Sequence, residues 1–216
     1  MQSMTNDFKT ATYVAGTAAV LASASHAAET ASLDDFIAKI KSTDDKIRGP
    51  AWQGAAPLGA PAVKPLAAVM TNADFEVARS AKRALYKIVR HAGRPGAEKE
   101  AKAVEQELIP LLKNEAGTVR REVLWMLSEI GTDDAIAPMA ALLSDQEVRE
   151  DARCALMRFP SSQATAALKS AFATAPEEFK FALAESLRKR GEKVEGYPSQ
   201  KLVPKRPTAV AQPKTS

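Results

Sequence analysis

The sequence predicts an all-α solenoid, a stack of about five helical hairpins, and three observations carry that expectation. An apolar residue followed four and eight positions later by small or apolar residues occurs five times, in DDKIRGPAWQGA, DFEVARSAKRAL, AGTVRREVLWML, DQEVREDARCAL and PEEFKFALAESL. The anchors Ile47, Val77, Val119, Val148 and Phe179 lie 30, 42, 29 and 31 residues apart, a period at which stacked supersecondary units repeat. Hydrophobic residues make up 45 % of the chain but aromatics only 6 %, with alanine abundant, which favours helices packed through small side chains over a sheet. Turn formers fall between the periodic stretches, at Thr43-Asp44, Asn72-Ala73-Asp74, Gly117, Ser144-Asp145 and Pro176.

Each anchor opens the second helix of a hairpin. First helices are expected over 33–41, 61–71, 97–114, 133–144 and 163–174, and their partners over 45–58, 74–91, 118–130, 146–159 and 177–190. Asp44, Asp74 and Asp145 each stand three residues before an anchor, where a carboxylate caps an incoming helix and meets the positive end of its dipole. Gly59, Gly131, Pro160 and Gly191 stop second helices. The long spacing of 42 holds His91 to Lys102, read as a loop and a solvated start to the next helix. Pro50, Pro57 and Pro61 crowd the first repeat, and Ala55 takes the place of a leucine; that suits a capping repeat.

Helix geometry divides each second helix into two faces. At about 100° per residue, offsets 0, +4, +7, +8 and +11 from the anchor share one side, holding Val77, Ala81, Ala84, Leu85 and Ile88 in the second repeat. Offsets +2, +6 and +9 fall opposite. They hold Arg79, Arg83 and Tyr86, then Arg121 and Trp125, then Cys154 and Met157, then Phe181 and Arg188. Aromatics, arginines and a methionine turned away from the core have the composition of a binding hot spot. The alternative is that Trp125 and Phe181 fill gaps between neighbouring helices. Lys82, Lys87 and Arg90 add to Arg79 and Arg83 on one helix, a patch for an acidic partner, an anionic glycan or a lipid head group, or else a solvated helix face.

An aspartate three before the anchor and a base just after it (Arg48, Arg120, Arg149, Lys180) resemble the HEAT-repeat pattern. The spacing near 30 is similar to the short bacterial HEAT-like type also found in phycobilisome lyases. The resemblance covers about residues 33–193 and implies a right-handed superhelix whose second helices line a concave groove. It also implies an acid–base ladder between neighbouring repeats, made by Asp44, Arg48, Asp74, Arg120, Asp145 and Arg149. The base is missing at Ala78 and the acid at Ala116 and Pro176.

Three segments are expected: residues 1–27 as a signal peptide, 31–193 as the repeat domain and 194–216 as a basic, proline- and lysine-rich disordered tail. Lys9 precedes the uncharged run ATYVAGTAAVLASA, and Ser25-His26-Ala27 sets small residues at −3 and −1 of a cleavage site. That leader points to a periplasmic or secreted protein, the alternative being a cytoplasmic one with an alanine-rich start. No transmembrane segment is expected, because no stretch approaches ~20 apolar residues. Of the formal charge of +4, residues 192–216 hold +3 and residues 1–27 none, leaving the repeats near +1. A body so close to neutral weakens a nucleic-acid reading, while the tail suits anionic envelope material.

Catalytic material is sparse. His26 lies in the leader and His91 beside the Gly93–Gly96 turn, without a ligand set around it. Asp34-Asp35, Asp133-Asp134 and Glu177-Glu178 sit at helix starts, where the dipole accounts for them. Cys154, the one cysteine, is a reactive thiol or bilin site by analogy with the lyases, or a small half-buried side chain. The expectation is a non-enzymatic scaffold without metal or cofactor, holding a protein or peptide partner in its groove. The alternatives are bilin-lyase-like or other small-ligand chemistry, and nucleic-acid binding.

Overall fold

The computed structural model describes residues 32–199. The expected leader at 1–27, and residues 200–216 of the expected tail, lie outside them. Ten α-helices fold as five hairpins among the described residues. α1 covers 32–40 and α2 Asp45–Gln53; α3 is Val63–Val69 and α4 Phe75–Ala92. They are followed by α5 (Glu98–Leu108), α6 (Gly117–Ile130), α7 (Ile136–Ala141), α8 (Arg149–Arg158), α9 (Ser162–Thr174) and α10 (Glu177–Lys189). Second helices touch in chain order, α2 on α4, α4 on α6, α6 on α8 and α8 on α10. First helices form the other layer, with α3 against α5 and α7 against α9.

The caps follow the sequence. Asp44 accepts from the Lys46 amide and Asp74 from the amides of Glu76 and Val77. Asp145 accepts from Glu147 N at 2.9 Å in the turn ahead of α8 but does not cap that helix, which starts at Arg149 with Val148 at its N-cap rather than at 146 as expected. The expected first helices are continued by 3₁₀ turns: Ala60–Ala62 precedes α3, Ile109–Lys113 follows α5, and Leu142–Ser144 follows α7. Pro110 has no N–H to continue the α5 ladder, so a tighter turn takes over.

The apolar stripe packs between the layers. Val77, Val119, Val148 and Phe179 are buried, as are Ala81, Ala84, Leu85 and Ile88. Ile47 departs from the expectation, being 47 % exposed. Among the described residues its helix is the first of its layer, with no preceding helix of that layer to cover that side. Arg48 is the buried residue there, donating to Ser42 O at 2.7 Å and Asp45 Oδ1 at 3.2 Å. The extra residues before α5 form a turn closed by Arg94, which donates to His91 O and to both oxygens of Glu100.

The opposite end of the stack is covered by the chain itself. After α10, Glu192 pairs with Lys169 of α9 at 2.7 Å, and Arg188 donates to Val194 O and Tyr197 O. The Tyr197 ring meets Phe172 and Phe181 edge-on at 5.3 and 5.2 Å. Its hydroxyl donates to Glu177, and Ser199 Oγ donates to Glu185. Residues 192–199 thus form a strap over the apolar face of the last hairpin. Such faces need a neighbour or a cap to keep them from water.

Candidate functional site

The face opposite the core on the second helices is built from side chains that partner across repeats. On α4, Arg79 pairs with Glu76 of its own helix at 2.9 Å, whereas Lys82 reaches Glu122 of α6 at 3.0 Å. Tyr86 donates its hydroxyl to the other oxygen of Glu122 at 2.9 Å. Burial first, and then Glu122, push the Tyr86 hydroxyl above the ordinary phenol range. It therefore stays protonated and remains a donor throughout the neutral range.

Arginine guanidiniums lie over aromatic rings along this face. Arg83 of α4 sits over Trp52 of α2 at 5.1 Å, and Arg158 of α8 over Trp125 of α6 at 4.2 Å. Arg90 covers the Tyr86 ring at 5.1 Å. In the first two stacks the base comes from the next repeat, so each stack joins two hairpins. Trp125 nevertheless remains 40 % exposed. Arg121 turns toward α8, donating to Glu147 O at 3.0 Å and lying 3.5 Å from Asp151.

Met157 is half-buried on α8, and Cys154 beside it is also half-buried, with Arg153 Nη2 at 3.3 Å from its sulfur. Phe181 and Arg188 on α10 are taken up by the strap through Tyr197 and the Val194 and Tyr197 carbonyls. The structure thus brings Arg79, Arg83, Tyr86, Arg121, Trp125 and Met157 onto adjoining repeats and sets Phe181 and Arg188 under the chain's own end.

The residues of the expected ladder divide into caps and pins. Arg120 is buried and donates to Asn114 O and Glu115 O, the turn of its own hairpin, at 2.6 and 2.9 Å. Its second terminal nitrogen crosses to Asp145 at 3.2 Å and Glu147 at 2.9 Å in the next repeat. Arg149 instead reaches Glu178 at 3.4 Å and lies 4.7 Å over Phe179, since Pro176 stands where an aspartate would be. No ion pair joins Arg48 to Asp74 among the described residues. Each base thus satisfies turn carbonyls, reaches the neighbouring repeat, or does both.

Two charged pins have no signal in the repeat pattern. Glu105 of α5 is fully buried. It accepts from Thr132 N at 2.6 Å, from Thr132 Oγ1 at 2.9 and 3.0 Å and from Lys102 Nζ at 2.9 Å. Arg190, just past α10, donates to the carbonyls of Leu156, Met157, Phe159 and Ser161 and to Thr165 Oγ1. It closes the exposed end of α8, and burial lowers its pKa from the ordinary guanidinium value. A charged residue at an otherwise open helix end was the only available clue, because the acceptors lie about 30 residues away in sequence.

A cleft of ≈ 550 Å³ lies between α4 and α6, lined by Met70, Phe75, Arg79, Lys82, Arg83 and Glu122 among others. Among the described residues no group of three or more His, Cys, Asp or Glu side chains is placed to hold a metal ion. No helix among them is long and apolar enough to cross a membrane.

The sequence matches the profile of HEAT repeats over residues 86–157 and 105–188. Among solved structures it is similar to two crystal structures of engineered proteins, at 23 % and 21 % identity. These likenesses cover 73 % of this chain and 78 % and 80 % of theirs, with TM-scores of 0.40 and 0.41. It is also similar to a designed armadillo repeat protein in complex with the peptide (KR)4, at 15 % identity over 73 % of this chain and 98 % of that one, TM-score 0.34. No curated protein matches. With five hairpins stacked in two layers and the repeat profile running through the last three and into α4, the chain is an all-α solenoid of helical hairpins, similar to HEAT repeats over residues 86–188.

Proposed function

We propose that the protein is a non-enzymatic scaffold that holds a protein or peptide partner along the concave groove formed by its second helices. The observation that carries this reading is Trp125, a large apolar ring left 40 % exposed on α6 beneath Arg158. An indole already in contact with a guanidinium has less side-chain freedom to lose, and covering it removes apolar area from water. Tyr86 and Met157 extend the apolar track on either side, and Arg79, Arg83 and Arg121 meet the partner's carboxylates. Phe181 and Arg188 complete the face where the strap sits, and a partner that reaches them displaces Tyr197. The same reading places the protein in the periplasm or outside the cell, its basic tail touching anionic envelope material. The finer likeness to the compact bacterial repeat type rests on the spacing near 30.

The test is capture from an envelope extract of the source cells by the full chain and by Trp125→Ala, with melting temperatures compared. A protein retained by the wild type and lost by an equally stable variant supports the groove. Equal retention refutes it. A co-purifying chromophore or retained duplex DNA in place of a protein would turn the reading to small-ligand handling or to nucleic acid.

A further inference from the structure

At the start of α4 an exposed apolar side chain meets positive charge that the protein does not neutralise. Phe75 opens that helix and is 71 % exposed, with half-buried Met70 beside it in the cleft between α4 and α6. Three cations, Arg79, Lys82 and Arg83, line the same cleft against the one carboxylate of Glu122. Glu122 is fully engaged, one oxygen with Lys82 and the other with Tyr86. Arg79 has Glu76 at 2.9 Å. Arg83 has no carboxylate within ion-pairing reach among the described residues. Its guanidinium carbon lies 5.1 Å from the centre of the Trp52 ring, a contact that uses none of the N–H donors a carboxylate would need.

We propose that this cleft takes a short acidic protein segment, in which a large apolar side chain is flanked by carboxylates. The apolar group seats against Phe75 and Met70, one carboxylate forks onto Arg83, and a second lies between Arg79 and Lys82. The inference rests on the second-helix face being the partner surface and gives that partner its chemistry. Glu76 and Glu122 stand among the cations and would repel a continuous polyanion such as a nucleic-acid backbone. Separate carboxylates on a peptide avoid them, and a recessed cleft suits a side chain better than a flat bilayer does.

The experiment uses the full chain and a fluorescein-labelled peptide with a central Phe-Leu pair flanked on each side by Glu-Glu, beside a Lys-flanked copy. Fluorescence anisotropy is measured for wild type, Arg83→Glu, Phe75→Ser and Lys99→Ala, each checked by its melting temperature. The acidic peptide is expected to bind and the basic one not. Arg83→Glu and Phe75→Ser should each weaken binding on the order of tenfold, with affinity falling as salt rises. Lys99→Ala, an exposed charge outside the cleft, should leave it unchanged. Equal binding of both peptides, no binding of the acidic one, or indifference to both Arg83→Glu and Phe75→Ser overturns the inference without touching Trp125-dependent capture. Equal capture by wild type and Trp125→Ala with peptide binding intact instead removes the wider scaffold reading. Arg83-dependent sedimentation with equimolar phosphatidylserine–phosphatidylcholine vesicles, or a dimer abolished by Phe75→Ser, would also overturn it.

Discussion

Replacing Glu105 by alanine tests whether a single buried carboxylate ties the third hairpin to the fourth. The side chain is fully buried on α5 and accepts from Thr132 N at 2.6 Å and from the Thr132 hydroxyl at 2.9 and 3.0 Å. Thr132 precedes the turn Asp133–Ala135 that leads into α7. Alanine removes the acceptor of that amide, a loss of about 1–3 kcal/mol, and the packing of one buried methylene, about 0.8 kcal/mol. The expected destabilisation is therefore about 2–4 kcal/mol, read in urea unfolding as a lower midpoint at unchanged slope. Asp134→Ala is the control, since Asp134 is exposed and Lys102 keeps Glu105 and Thr132 as partners without it; its unfolding curve should overlay the wild type. A Glu105→Ala protein within about 0.5 kcal/mol of wild type would refute the reasoning, because a surface substitution would do as much.

Two further outcomes follow from the end of the stack. Arg190→Ala should destabilise by about 2–4 kcal/mol, since several carbonyls lose a charged donor together, while water recovers some of them. Arg190→Lys should restore only part, because one ammonium cannot span acceptors from Leu156 to Thr165 as a planar fork does; full rescue by lysine in urea unfolding would exclude the fork. The strap should loosen in acid. Lys180 and then Tyr197 hold Glu177 below the ordinary glutamate pKa, and Ser199 does the same for Glu185. A depressed folded-state value means that their contribution is present above the unfolded value of about 4.3 and is lost as pH falls through the lower, folded one. The Tyr197 ring resonances should stay constant above that range and shift below it, and a midpoint at or above 4.3 would contradict the assignment.

How far the sequence carried each feature depends on whether its cause was local. Anchors, turns and aspartate caps act within a few residues, so Val77, Val119, Val148 and Phe179 were legible as core and Asp44 and Asp74 as caps. Ile47 misled because its spacing matches the others, while burial of an anchor depends on a preceding helix in its layer, and among the described residues α2 has none. Trp125 was legible as turned away from the core, yet its exposure is set by Arg158 in the following repeat. Phe75 went unread as an exposed anchor, since it sits two residues before the anchor Val77, off the periodic positions, and the far wall of its cleft comes from α6.

By itself the sequence determined the class of object, because helix periodicity and capping are short-range and recur in every hairpin. Tertiary structure alone decided which charges are engaged. Glu105 reaches Thr132, Arg190 gathers the carbonyls that end α8, and Tyr197 wedges between Phe172 and Phe181. Contacts between stacked repeats join residues some 20 to 40 positions apart. One-dimensional spacing places such residues on a face, but packing fixes which partner each one meets and which, like Arg83, is left open to another molecule.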